Sequence, residues 1–387
     1  MDTTHERLKS LDVFRGATIA GMMLVNNPGS WSHVYTPFSH TAWAGWTYAD
    51  TIFPSFLWIV GVAIVLSIRK RIDGGATGRQ IILHGAQRSL ILFILGLFLA
   101  IFPIGILFGQ VVDFSGWRIP GILQRIAICS FAASLIVVST KTRGRASWLA
   151  GLLALYWLLI TFVPVPGFGA GILEPVGSLP WYVDSQVLGA RTWLWTWWRN
   201  APSPGFDPEG ILSTLPAIST VLFGVLAGEF LGSRRDRTEK AAWLFLSGTL
   251  LMLVGIVMDA WLPIIKGLWT SSFAVFMAGF STFVFASIFW IVDVRRLTRW
   301  TRWLEIYGMN AIAMFFLSGL LERTTFVIVW KDSDGMFVSL HDWFYHMFFT
   351  SWMADPTASS FVHAAFMMFV FFAIAYGMHR KKWIVKI

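Results

Sequence analysis

A histidine sits in the short aromatic stretch Phe38-Ser-His40-Thr-Ala-Trp43-Ala-Gly-Trp-Thr-Tyr-Ala-Asp50, between two long apolar runs. An imidazole near a carboxylate can take a proton from an attacking nucleophile, or accept an acyl group itself. The run before it ends in Asn26-Asn27-Pro28, and the run after it opens with Asp50-Thr-Ile-Phe-Pro54. Charged groups at membrane depth cost about 2.5–3.5 kcal/mol or more each, so they usually persist for a functional reason. The competing reading is a loop histidine facing water.

Further polar clusters flank other apolar runs. Arg7-Leu-Lys-Ser-Leu-Asp12-Val-Phe-Arg15-Gly16 opens the first run. Its arginines suit phosphate groups, and they also suit simple anchoring at a membrane face. In Trp117-Arg118-Ile-Pro120-Gly-Ile-Leu-Gln124-Arg125, the last arginine lies within an apolar helix and needs an anionic or carbonyl partner, from Asp50 or from a ligand. Asp207-Pro208-Glu209-Gly210 suits a helix start, because carboxylates favour the positive end of the dipole and proline fits the first turn. Tyr307-Gly-Met-Asn310 puts an amide in the ninth run, where such groups glue helices together. Asp259 is a further candidate, whereas His33, His341, His346, His363 and His379 read as ordinary loop or boundary histidines. No metal-ligand spacing, Gly-x-Ser-x-Gly elbow, P-loop or dinucleotide fingerprint occurs at a plausible location. Histidine-centred acid–base or acyl-transfer chemistry is the main enzymatic option left.

Apolar helices must carry these residues. Of 387 residues, 56% are hydrophobic and 13% charged, against roughly 25% charged in a soluble domain. Mean hydropathy is +0.64. Runs of near twenty apolar residues recur, each able to cross a hydrocarbon core about 30 Å thick. The fold class expected is all-α, a polytopic transmembrane bundle of about ten spans: 11–30, 50–68, 89–109, 119–139, 146–164, 211–232, 241–261, 269–292, 303–322 and 359–378. No cleavable-signal pattern precedes the first run, so it is expected to remain as a spanning helix. Residues 1–387 read as a single integral-membrane domain with no convincing internal repeat, elaborated by outer loops 165–210 and 323–358. The lone Cys129 says nothing about redox compartment.

The net charge of +9 is distributed as a topology signal. Alternate loops and span mouths hold 23 of the 30 Lys and Arg, which places those loops and both termini in the cytoplasm and His40 outside. Nucleic acid is therefore not an expected partner. The outer loops combine acidic residues with Trp181, Trp193, Trp195, Trp197 and Trp198. That mixture suits the membrane interface, and it also suits a cationic sugar through charge and ring stacking.

Collinear motifs then resemble one family. They are Arg7-Leu-Lys-Ser-Leu-Asp12-Val-Phe-Arg15-Gly, Asn26, His40-Thr-Ala-Trp43-Ala-Gly, Ala49-Asp50-Thr-Ile-Phe-Pro54, Arg118-Ile-Pro-Gly-Ile-Leu-Gln-Arg125, Phe206-Asp-Pro-Glu-Gly210, Gly267-Leu-Trp269-Thr-Ser-Ser-Phe, Gly308-Met-Asn310 and the tail Arg380-Lys-Lys-Trp-Ile-Val-Lys-Ile387. Together they resemble the transmembrane region of the heparan-alpha-glucosaminide N-acetyltransferase family. The resemblance implies a membrane acyltransferase that takes acetyl-CoA from the cytosol as co-substrate, without a metal, and acetylates an amino sugar or glycan on the far side. It implies catalytic roles for His40, Asp50 and Asn26, and donor contacts for Arg7, Arg15, Gln124, Arg125 and Asn310. It further implies acceptor contacts for Trp43, Asp207 and Glu209. Ala44 and Ser318 stand where the human member carries asparagine and histidine, and the long lumenal domain is expected to be missing. These departures leave the acceptor open. The expected setting is a bacterial cytoplasmic membrane, with the lipid bilayer as partner, and a homodimer is compatible with it. A polysaccharide O-acyltransferase of the same fold, or a solute transporter, is the alternative.

Overall fold

The computed structural model describes residues 8–102, 116–193 and 205–385. Helices dominate: α1 Lys9–Asn26, α2 Tyr48–Asp73, α3 Gly78–Ile101, α4 Ile122–Ser139, α5 Thr142–Phe162 and the short α6 Leu179–Val187. They continue as α7 Thr214–Leu231, α8 Arg237–Asp259, α9 Ser271–Phe289, α10 Arg302–Met309, α11 Ala311–Val327, α12 Leu340–Tyr345 and α13 Pro356–Arg380. A two-stranded antiparallel hairpin, β1 Val329–Lys331 and β2 Phe337–Ser339, pairs Trp330 with Val338.

Among the described residues, eight helices are long and apolar enough to cross a membrane: α2, α3, α4, α5, α7, α8, α9 with its extension to Val294, and α13. The chain is an all-helical, multi-pass membrane protein. α10 and α11 are long and apolar enough only as a pair, bent by 75° between them, the geometry of a broken span or a re-entrant loop. That bend departs from the straight ninth span expected over 303–322. α1 adds eighteen residues, thirteen of them buried, and rises roughly 27 Å at 1.5 Å per residue. Its charged Lys9, Asp12 and Arg15 sit in the half nearest the basic loops.

Small residues let the central helices approach closely, as expected where lipid offers no hydrophobic drive for helices to pair. A Cβ on Gly61 of α2 would lie 2.0 Å from the Val221 carbonyl oxygen of α7, and one on Gly224 would lie 2.0 Å from that of Trp58. The same device locks α1 to α10, where a Cβ on Gly308 would lie 2.0 Å from the Asp12 carbonyl oxygen. The largest buried apolar cluster joins α2, α3, α4, α7 and α9, with Leu57, Val221, Val225, Phe273 and Ala274 fully buried within it. This packed centre fixes the ends of α1, α2, α4 and α9, from which the polar residues project.

Candidate active site

Local chemistry explains how Asp50 is placed. Thr47 precedes α2, and Asp50 is its third residue, so the pair forms a capping box. Asp50 Oδ2 accepts from the Thr47 amide at 3.0 Å and from the Thr41 amide at 3.1 Å. Its other oxygen, Oδ1, faces His40 Nδ1 at 2.7 Å. With Nδ1–H donating to the carboxylate, the free lone pair lies on Nε2. Asp50 is fully buried, while the His40 side chain keeps 46% of its exposure. The loop bearing His40 is pinned by Thr47 Oγ1 donating to the Ser39 carbonyl at 2.7 Å, Trp43 Nε1 to that of Leu173 at 2.9 Å, and Gly45 N to that of Ile264 at 2.8 Å.

Lys266, which the sequence does not single out, completes this group. Its Nζ donates to Asp50 Oδ1 at 3.1 Å and lies 3.0 Å from His40 Nδ1. The turn that presents it is tightly tied. Asp259 Oδ1 accepts from Ile264 N at 2.6 Å, and Thr270 Oγ1 donates to the Pro263 carbonyl at 2.8 Å. Trp269 adopts a φ of +52°, a left-handed conformation uncommon for a bulky residue. Asp259 therefore shapes the lysine turn. Burial draws the Lys266 ammonium below the usual lysine range, against the pull of Asp50 and Glu209. Its adjacency to the Gly267-Leu-Trp269 motif was the one available signal.

A cavity of about 490 Å³ connects these groups. His40, Asp50, Asn26, Trp43, Glu209 and Lys266 all line it. It extends down the bundle to Thr18, Ile126 and Phe315, at mid-helix depth. Thr18 is one helical turn from Arg15.

Arg118 also lines the cavity and binds both carboxylates of the Asp207-Pro-Glu209 motif. Nε and Nη2 reach Asp207 at 2.8 and 2.7 Å, and Nη2 also donates to Glu209. Burial disfavours the guanidinium charge, yet these two carboxylates hold it above the ordinary arginine range. Asp207 is buried and takes a further bond from the Trp193 amide at 2.7 Å. Asp184, on α6 beside this cluster, is pushed up to about 7 by burial and by the neighbouring Asp207 charge.

The remaining sequence candidates lie elsewhere. Arg125 is buried, donates to the Gly210 carbonyl at 3.0 Å and to Ser213 Oγ, and stacks 5.2 Å from the Trp269 ring. Neither Asp50 nor a ligand is needed to satisfy the part of Arg125 that bonds there. Gln124 Nε2 donates to the Ile119 carbonyl at 3.0 Å. Asn310 sits at the bend between α10 and α11 and clasps the tail, donating to the Trp383 carbonyl at 3.0 Å and accepting from Val385 N at 2.9 Å. Arg15 pairs with Asp12 at 3.1 Å on the first half of α1. Arg7 and Trp195, Trp197 and Trp198 fall outside the described residues.

The match to known proteins follows the same chain segments. The family model described as heparan-alpha-glucosaminide N-acetyltransferase, catalytic, matches residues 7–257. Heparan-alpha-glucosaminide N-acetyltransferase of Mus musculus is 29% identical over 383 residues, covering 86% of this chain and 56% of that protein. The Homo sapiens protein of the same name is 29% identical over 376 residues, covering 85% of this chain and 55% of its own length. The chain spans about half the length of the curated relatives it matches. With the matched region running from α1 through most of α8, the chain belongs to the family of the heparan-alpha-glucosaminide N-acetyltransferase catalytic region.

Proposed function

We propose that this protein transfers an acetyl group from acetyl-CoA, entering from the basic-loop side, to the amine of an amino sugar or glycan arriving from the opposite side. The observation that carries the reading is the 2.7 Å contact of His40 with the buried Asp50, set in a cavity that reaches toward Arg15. Asn26 lies eleven positions after Arg15 on α1, roughly 16 Å at 1.5 Å per residue. An extended thioester-bearing arm would cover that distance, with its phosphates near Arg7 and Arg15 and its carbonyl near His40.

The thioester is already activated, so the chain must supply a neutral amine, alignment and charge stabilisation. His40 Nε2 takes the proton from the amine as its nitrogen attacks the thioester carbonyl. The C–N bond forms, the C–S bond breaks, and the CoA sulfur leaves as thiolate and receives a proton. Asp50 holds the imidazole and balances the charge it gains. Asn26, at the end of α1, donates to the oxyanion. In a second form of the same reaction, His40 Nε2 carries the acetyl group before the amine takes it. Trp43 and Glu209 meet the acceptor from the cavity wall, while Asp207 holds Arg118. Gln124, Arg125 and Asn310 serve the donor through the helix ends they brace. The host membrane on this reading is a bacterial cytoplasmic membrane, with both termini inside.

The test is transfer of radiolabelled acetyl from acetyl-CoA to glucosamine by the purified protein. His40→Ala should lose about 10²–10⁴-fold in rate while remaining folded in detergent. Near-normal turnover in that variant would reject the assignment.

A further inference from the structure

Two helices stop beside the start of α1 in the same unusual way. α9 with its extension ends at Val294, and α13 ends at Arg380. Two positions beyond each end, Arg296 and Lys382 adopt φ of +57° and +58°. Glycine is the usual residue there, because a side chain is strained in that conformation. The next residue is apolar in both turns. Leu297 N closes the first onto the Ile291 carbonyl at 3.0 Å, and Trp383 N closes the second onto that of Met378 at 2.9 Å. In the ordinary form of this turn the apolar residue folds back on its own helix. Here Leu297 stays 56% and Trp383 59% exposed.

α10 joins the two corners. The segment after Leu297 leads into its first residue, and Asn310 beyond its last one clasps Trp383. Its buried Ile306, Tyr307 and Gly308 face inward, whereas Arg302 and Trp303 are exposed. Arg299 and Trp300, the latter 85% exposed, stand just before it. Among the described residues, none of Arg295, Arg296, Arg299, Arg302, Lys381 and Lys382 has a carboxylate partner. Of the acidic residues nearby in the chain, Asp293 accepts from Ser10 N at 3.2 Å and Glu305 lies half-buried on α10.

We propose that this patch docks the headgroups of anionic phospholipids. Its cations meet the phosphates, and Leu297, Trp300, Trp303 and Trp383 enter the boundary with the acyl chains, as in amphipathic segments lying along a membrane surface. Setting the orientation of the spans would explain cations anywhere in these loops. It requires neither cations at the two glycine-like positions nor apolar residues turned away from their helices.

The experiment titrates the purified full chain, in detergent, with phosphatidylglycerol and separately with phosphatidylcholine, reading binding by native mass spectrometry. Phosphatidylglycerol should bind more tightly. Arg296→Gly combined with Lys382→Gly, which suits both turns and so keeps the fold, should cut that preference about 25-fold, at about fivefold per cation. Trp300→Ala should weaken both lipids alike. Lys141→Gln with Arg143→Gln, in the basic loop between α4 and α5, should leave the preference unchanged. Equal binding of the two lipids, or a preference that survives the glycine pair, would overturn the proposal. An equal loss in the α4–α5 loop variant would overturn it in favour of overall charge. Complete displacement of phosphatidylglycerol by inorganic phosphate would overturn it in favour of a free anion.

Discussion

Lys266 donates to the same oxygen of Asp50, Oδ1, that holds His40: the distances are 3.1 Å from Nζ and 2.7 Å from Nδ1. One buried carboxylate thus answers two groups that lie 216 and 10 residues from it in the chain. Burial draws the Lys266 ammonium below the usual lysine range, so its charge is lost at lower pH than that of a free lysine. The proposed acetyl transfer should therefore fall along an alkaline limb that begins below about 10.4. Lys266→Met should remove that limb and lower kcat/KM about ten- to a hundredfold, and Lys266→Arg should restore part of it. A pH–rate profile left unchanged by Lys266→Met would remove the lysine from the catalytic group.

Asp184 makes stability depend on pH in the opposite sense from a salt-bridged carboxylate. Its folded value near 7 stands above the ordinary 3.8, so between these values the folded state holds a proton that the unfolded state releases. The associated stability is present below about pH 4 and is lost as pH rises through 7. Asp184→Asn should flatten the fall in thermal midpoint between about pH 4 and 7, read by differential scanning in detergent. An unaltered slope would show that Asp184 ionises normally.

Arg118 holds two carboxylates that have little water to fall back on. Arg118→Met should destabilise the fold by about 3–5 kcal/mol, because breaking a buried pair strands the remaining charges. Adding Asp207→Asn should recover part of the loss. Chemical denaturation of the single and double variants measures the coupling, and strictly additive losses would contradict it.

The α1–α10 contact depends on hydrogen in place of a side chain. Gly308→Ala would drive a Cβ to 2.0 Å from the Asp12 carbonyl, a backbone atom that cannot rotate away. The expected cost is about 1–3 kcal/mol, together with slower acetyl transfer as α1 carries Asn26 out of line. A variant with the original thermal midpoint would mean that the two helices separate without penalty.

Much of this protein is written locally. Runs of apolar residues long enough to cross a bilayer appear as such in the chain, because hydrocarbon excludes every alternative for the backbone. The His40–Asp50 relation was also within reach: Thr47 and Asp50 are a helix start three residues apart, and the histidine lies in the loop that feeds it. The tertiary structure alone decided the rest. Hydropathy averaged over a whole span cannot see the 75° bend at Asn310, since an average carries no information on direction. Arg118 could have faced lipid headgroups, water or a ligand; only the fold brings it to Asp207, 89 residues away. Lys266 looked like any cation of an outer loop until the packing of α2 against α9 put it beside Asp50. Such contacts leave no period in a sequence, because Coulomb attraction and hydrogen bonding act through space and are blind to the length of chain between the partners.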